Sequence, residues 1–537
     1  MGQGSLEGQV VALIRARPLL CIGATNALTA LAALYLHAGG WRNVRKMLEK
    51  AAFQMVVGSA RLVAGELVKK EEAKILEGVR DSVVGKIHGE RYQSLPKVGM
   101  STDAVVKLMR EGYARDGESW SKGQVSGQVY HGGKDVTGLL VDAFSIYAVS
   151  NPIHPETFPS VRKMEAEVVQ MVCELFHGGS EACGTTTSGG TESNFMTVKT
   201  HRDWALKVKG ITSPELIKPA SAHASFDKAC HLLGVKCIEV PFDPATFKVD
   251  LAAVRRSLSR NTILLVGSAP SYPHGVMDDI QALSTMALER GCGLHVDCCL
   301  GSFVLPFLDD AGYPTPPFDF RLKGVSSMSC DTHKYGFAPK GSSVVMYRDR
   351  DLRHHQYFVA SDWPGGIYAT PALAGSRPGA LIAGTWAVMM HMGKSGYLQC
   401  ARDIMSTARH ITRGVEAMGG VRLMGKPDAF VVCVGAEDPA ALNIFNVGDA
   451  MSERGWRCSL MQFPSCLHFC VTYLAARQGA GPRFLADLEA SIHCVRTAPK
   501  GKFKDSKGAI YGMAASIPDR SMVDDMALTY IDAQYYA

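Results

Sequence analysis

Two short segments hold side chains that could form and tune an imine. In HVDCCLGS, Asp297 ends the apolar run Gly293–Val296, and in SCDTHKYGFAPKGSS, Lys334 lies in a turn after Val325–Ser329. In open α/β sheets ligands bind beyond the carboxyl ends of the strands, so residues just past each strand are read first. A lysine amine attacks an aldehyde when it is neutral, which a partly desolvated site favours. A carboxylate facing a pyridine nitrogen keeps that ring protonated and electron-accepting. Together the two residues, in turns flanked by Gly and Ser, fit a pyridoxal-phosphate site in which Lys334 forms the Schiff base. Alone, either would more readily be a structural ion-pair member.

Two further elements support the pair. Residues 188–194 read SGGTESN and open a helical run near Thr191. Glycines let backbone N–H groups close on an anion, and a helix N-terminus adds a favourable dipole. Gly189, Gly190 and the Thr191 hydroxyl thus form a seat for the cofactor phosphate, although a plain Gly-rich turn with a Thr cap has the same signature. His223 in AHASFDKA, after a strand-like segment, offers an imidazole that can stack on the pyridine face. None of these residues is read as a metal ligand.

The elements that must position these groups alternate along the chain. Helical runs cover Val161–Phe176, Thr191–Lys209 and Asp279–Arg290, and strand-like runs cover Lys236–Val240, Ile263–Gly267, Gly293–Asp297, Val325–Ser329 and Ser343–Tyr347. Their continuous hydrophobicity indicates strands buried on both faces, hence a mostly parallel sheet with helices on each side. A helix after about Gly396, then Ala429–Val434 and Leu467–Tyr473, predicts a smaller C-terminal αβ domain. The expected division is an N-terminal segment 1–50, a mostly helical segment 51–160, a large domain 161–395 and a small domain 396–537. Residues 41 to about 120 read as helical.

The chain has 537 residues, 47% apolar and 20% charged, with a net charge of +6. That is globular composition, and no basic run is interleaved with aromatics, so nucleic-acid binding is not indicated. The 15 scattered cysteines are an odd number and read as reduced thiols facing the cytosol. Leu19–Leu36 carries no charge and is just long enough for a membrane span, with Thr25, Asn26 and Thr29 weakening it. The excess of Arg42, Arg45, Lys46 and Lys50 on its C-terminal side favours a single anchor at 19–37 with the rest of the chain cytosolic. The bland alternative is a buried helix.

SGGTES, AHASFDKA, HVDCCLG and DTHKYGFAPKGSS, in this order, resemble the group II pyridoxal-phosphate-dependent decarboxylases, and within them the lyases of phosphorylated sphingoid bases. SGQVYHGG, SNPIHPETFPSVRKMEAE, DWPGGIYATPALAGSRPG and KGAIYGMA extend the similarity from about Ser126 to the C-terminus. The resemblance implies the aspartate aminotransferase-like fold (fold type I). It assigns Lys334 to the Schiff base, Asp297 to the pyridine nitrogen, His223 to ring stacking, and Gly190, Thr191 and His333 to the cofactor phosphate. Gly375 and Ser376 would reach that phosphate from the other subunit of a homodimer. Tyr130, Asn151, His154 and Lys340 would line the substrate phosphate and head group. The implied reaction is a retro-aldol cleavage to a long-chain aldehyde and phosphoethanolamine, in an enzyme anchored in the endoplasmic reticulum membrane. An amino-acid decarboxylase shares the lysine, the aspartate and the phosphate cup, but has no use for an anion site built from Lys340, His154 and Tyr130. Cys298 replaces the family's usual alanine, a small residue expected under the ring.

Overall fold

The structure is a computed structural model and describes residues 73–74, 76–81, 83–84, 91–116, 119–499, 502–503 and 521–536. The expected anchor at 19–37, most of 41–90 and the KGAIYGMA segment lie outside them. Where described, residues 91–100 form no helix, contrary to the helical expectation, because Pro96 and Gly99 punctuate the stretch. A helix follows at Thr102–Asp116. No helix among the described residues is long and apolar enough to cross a membrane.

The chain divides into two units, Met1–Lys107 with Gly512–Ala537, and Leu108–Tyr511. In the first, a helix spans Ser521–Gln534 and the Arg91 guanidinium lies 5.2 Å from the Tyr536 ring centroid.

In the second unit, helices α1 (Lys134–Tyr147) and α2 (Pro159–Leu175) precede a seven-stranded sheet. Its strands are β1 (Cys183–Thr187), β2 (Glu215–Pro219), β3 (Lys236–Val240), β4 (Thr262–Ser268), β5 (Gly293–Asp297), β6 (Ser327–Cys330) and β7 (Ser343–Tyr347). They lie in the order β1-β7-β6-β5-β4-β2-β3. The β2–β3, β2–β4, β4–β5 and β5–β6 pairs are parallel, and β7 runs antiparallel to both β6 and β1. This is the mostly parallel α/β sheet of fold type I. Every residue of β4 and β5 is buried, which explains their unbroken apolar runs.

Helices α3 (Gly190–Lys209), α4 (Ser225–Leu233) and α5 (Ile280–Arg290) cross between strands. The start of α5 is set by Asp279, whose carboxylate accepts the Ala282 N–H at 2.9 Å, and its end by Gly291 at φ +68°. Helix α6 (Gly379–Glu416) kinks at Gly393, so the helix expected after Gly396 is the second part of a longer one. A four-stranded antiparallel sheet follows, from β8 (Val421–Leu423), β9 (Val431–Ala436), β10 (Ser459–Met461) and β11 (Cys466–Cys470), in the order β8-β9-β11-β10. Trp456 packs edge-on against Phe469 and Phe484 behind this sheet, with its indole N–H donating to Asp487 at 2.8 Å.

Candidate active site

The carboxyl ends of the parallel strands open into a cavity of about 540 Å³. Tyr130, Thr191, His223, Asp297, Lys334 and Lys340 all line it, with Gly190 and His333. Residues far apart in sequence are therefore brought to one wall by the strand ends and the turn between β6 and β7.

Asp297 ends β5 and is buried. Its Oδ2 accepts the Asn194 side-chain N–H at 3.0 Å, and its Oδ1 accepts the Cys299 backbone N–H at 3.0 Å. Burial alone would raise its pKa, but His223, His295, the Cys299 N–H and Lys334 outweigh burial and hold it below the usual carboxylate value. Asn194 also donates to Ser225 Oγ at 2.9 Å, and that hydroxyl lies 2.9 Å from His223 Nδ1. One amide thus ties the carboxylate to the loop that carries the imidazole. Behind them His295, pushed down to about 3 by burial, stays neutral against Ser327.

Lys334 lies in the turn between β6 and β7, its Nζ 2.8 Å from Asp331 Oδ2. Burial pulls its pKa down, but the charge and hydrogen bond of the Asp331 carboxylate lead the opposing effects, and the net shift is upward. In the chain as it stands the lysine is an ammonium, not the neutral amine expected from desolvation alone. Asp331, inside the DTHK motif, has no sequence signal separating it from a turn-capping aspartate.

Lys340 holds its Nζ 3.3 Å from the His333 carbonyl oxygen and 4.7 Å from the Tyr130 ring centroid. Burial, then repulsion from Lys334, lowers its pKa to about 8. Tyr130 is buried edge-on against Tyr335 at 4.8 Å, and burial raises its phenol pKa, which keeps the hydroxyl a donor.

Other expected site residues lie elsewhere. Asn151, His154, Gly375 and Ser376 are not on the cavity wall of their own chain. Asn151 Nδ2 donates to Ser376 Oγ at 3.0 Å and its Oδ1 accepts the Arg377 N–H at 3.2 Å, while His154 is exposed beside Glu156 at 3.8 Å. Cys298 is fully buried off the cavity, and Cys299 instead lines it, its Sγ 3.1 Å from Ser329 Oγ.

The wall fits pyridoxal phosphate. A buried, hydrogen-bonded carboxylate stands where a pyridinium needs one, and a lysine shares its cavity. At the start of α3 a Cβ on Gly190 would come within 2.7 Å of Cys299 Sγ and 2.9 Å of Asp331 Oδ1, so only glycine keeps that cradle open.

A family model described as "Pyridoxal-dependent decarboxylase conserved domain" matches residues 95–436. The chain is 43% identical to sphingosine-1-phosphate lyase 1 of Mus musculus, over 87% of this chain and 82% of that one. It is 40% identical to the sphingosine-1-phosphate lyase of Dictyostelium discoideum, over 96% of each. Among solved structures, a sphingosine-1-phosphate lyase of Burkholderia pseudomallei superposes with a TM-score of 0.74 at 40% identity, covering 76% of this chain and 94% of that one. The Lactobacillus brevis glutamate decarboxylase shares the fold, with a TM-score of 0.67 at 20% identity. With its lysine, carboxylate and glycine cradle on one wall, the chain belongs to the pyridoxal-dependent decarboxylase family, and within it to the sphingosine-1-phosphate lyases.

Proposed function

We propose that this enzyme cleaves phosphorylated sphingoid bases between C2 and C3, releasing a long-chain aldehyde and phosphoethanolamine. The observation that carries the substrate class is a second cation, Lys340, at the cavity wall beside Tyr130 and six positions beyond Lys334. A cofactor phosphate already has its seat at Gly190, Thr191 and His333, so an additional ammonium serves an anion on the substrate.

Pyridoxal phosphate, when bound, supplies a protonated ring that accepts the electron pair released at C2. Lys334 would hold the cofactor through its amine and give up that place to the amine of the substrate. Asp297, fixed by Asn194 and the Cys299 N–H, would pair with the ring nitrogen, and His223 would stack on the ring. Lys340 binds the substrate phosphate and the Tyr130 hydroxyl donates to it or to the C3 oxygen. The C3 hydroxyl passes its proton to an oxygen of the substrate phosphate as the C2–C3 bond breaks, and one proton returns to C2. The raised pKa of Tyr130 favours this phenol as donor over base.

The chain is further proposed to work as a homodimer in which Gly375 and Ser376 of one subunit approach the cofactor phosphate of the other. The Asn151–Ser376 cluster outside its own cavity supports this, as do Val141, Phe144, Ile146 and Val149, large apolar side chains exposed on and just after α1. Residues 19–37 are proposed to anchor the enzyme in the endoplasmic reticulum membrane with the catalytic unit in the cytosol. Release of the full chain from membranes by alkaline carbonate would count against that anchor.

Comparing phosphorylated dihydrosphingosine with its dephosphorylated form tests the substrate reading. The phosphorylated base should be strongly preferred, with the preference collapsing in Lys340→Met. Equal turnover of both by the parent enzyme would refute it.

A further inference from the structure

Asp331 opens the turn that carries Lys334, and its side chain is only 2% exposed. Its Oδ2 lies 2.8 Å from Lys334 Nζ and 3.6 Å from His333 Nε2. Its Oδ1 is buried with no hydrogen-bond partner among the described residues. Gly190 leaves room for it, since a Cβ there would come within 2.9 Å of both carboxylate oxygens. Burying a carboxylate is costly, and one left half-satisfied is kept where a charged partner needs it. Lys334 is the partner within hydrogen-bond reach.

We propose that Asp331 is a positioning residue that holds Lys334 as an ammonium whenever that lysine is not bonded to the cofactor, and so keeps on it the proton returned to C2. The proposal rests on the reading of Lys334 as the cofactor lysine. The ammonium gives one proton to C2 and becomes a neutral amine. That amine is the nucleophile needed to bond the cofactor again, so the same transfer completes the product and arms the enzyme. Asp331 remains a carboxylate throughout, and no oxidant or reductant takes part. Burial by itself would favour the neutral amine too early; the ion pair delays it. The titratable groups facing Lys334 are Asp331, Cys299 and Tyr130 and, from the ends of β5 and β11, Asp297 and Cys470, with Lys340 and His333 on the same wall.

The test uses the full chain stripped of cofactor. Acetylation of Lys334 by acetic anhydride is followed against pH by peptide mass spectrometry, in the parent, Asp331→Asn and Asp331→Glu, with and without added pyridoxal phosphate. In the parent the midpoint should lie above the ordinary lysine value of about 10.4. In Asp331→Asn it should fall by a unit or more, so that Lys334 labels about tenfold faster at neutral pH, because one pKa unit is tenfold in free amine. Asp331→Glu should restore the slow labelling. A parent midpoint below the ordinary value overturns the proposal even if Asp331→Asn does not fold, and so does an unchanged midpoint in that variant. Pyridoxal phosphate should protect Lys334 in the parent. Protection with an unchanged midpoint defeats only the role of Asp331, whereas absence of protection defeats the reading of Lys334 itself.

Discussion

At the scale of single residues, the site shifts the pKa values of its two lysines in opposite directions. Lys334 has a carboxylate at 2.8 Å and its pKa is raised; Lys340, six positions on, has no carboxylate that close among the described residues and is pulled down to about 8. The sign follows directly. Lys340 is an ammonium below pH 8 and loses its charge as pH rises through that value. KM for a phosphorylated base should therefore be lowest below about pH 8 and climb above it, while Lys340→Met should show a flat profile over the same range. A charged hydrogen bond contributes about 1.5–3 kcal/mol, so that variant should raise KM about ten- to a hundredfold at neutral pH. Initial-rate measurements between about pH 7 and 9 check this, and a flat parental profile would remove Lys340 from phosphate capture.

At the scale of elements, the strands most legible in sequence were those buried on both faces. β5 and β7, buried along their whole length, fall where they are expected, and β4 only extends its run by one residue at each end, whereas β3 falls at its expected Lys236–Val240 although it is an edge strand of which only Val240 is buried. β1 escapes the pattern because CGTTT is small and polar; its threonines are satisfied inside the fold, Thr186 by Glu165 and Thr187 by Ser193 at 2.6 Å, and it is buried by pairing with β7 and packing against α2. β2 reads only as a strand-like segment before His223, without bounds, because Glu215 and Lys218 interrupt it, yet Lys218 is buried between Asp227 at 3.2 Å and Glu239 at 3.3 Å. Tertiary pairing overrode local pattern in both. For the site, Lys334, Asp297 and His223 were legible because they sit in motifs just past strands. Asn194 and Asp331 act through side-chain contacts across 103 and 3 positions, which no spacing rule separates from ordinary polar residues. Since β4 carries the sheet between β5 and β2, Leu264→Ala at a fully buried position should cost about 2–5 kcal/mol. Urea unfolding should show a lower midpoint; an unchanged midpoint would mean the strand is not part of the cooperative core.

At the scale of the whole molecule, the proposed site draws on two subunits and takes one lipid. If Ser376 serves the partner's site, Lys334→Ala and Ser376→Leu should each be inactive alone, while their mixed dimers carry one site with both residues intact. Random pairing would return about a quarter of parental activity. No recovery on mixing would place each site within a single chain. The central claim is the carbon–carbon cleavage, and it separates this enzyme from the amino-acid decarboxylases that share its lysine, aspartate and glycine cradle. The most direct measurement offers the purified holoenzyme phosphorylated dihydrosphingosine beside a panel of amino acids, and quantifies aldehyde and carbon dioxide. The account predicts long-chain aldehyde with equimolar phosphoethanolamine from the lipid and no carbon dioxide from the amino acids; carbon dioxide without aldehyde would contradict it.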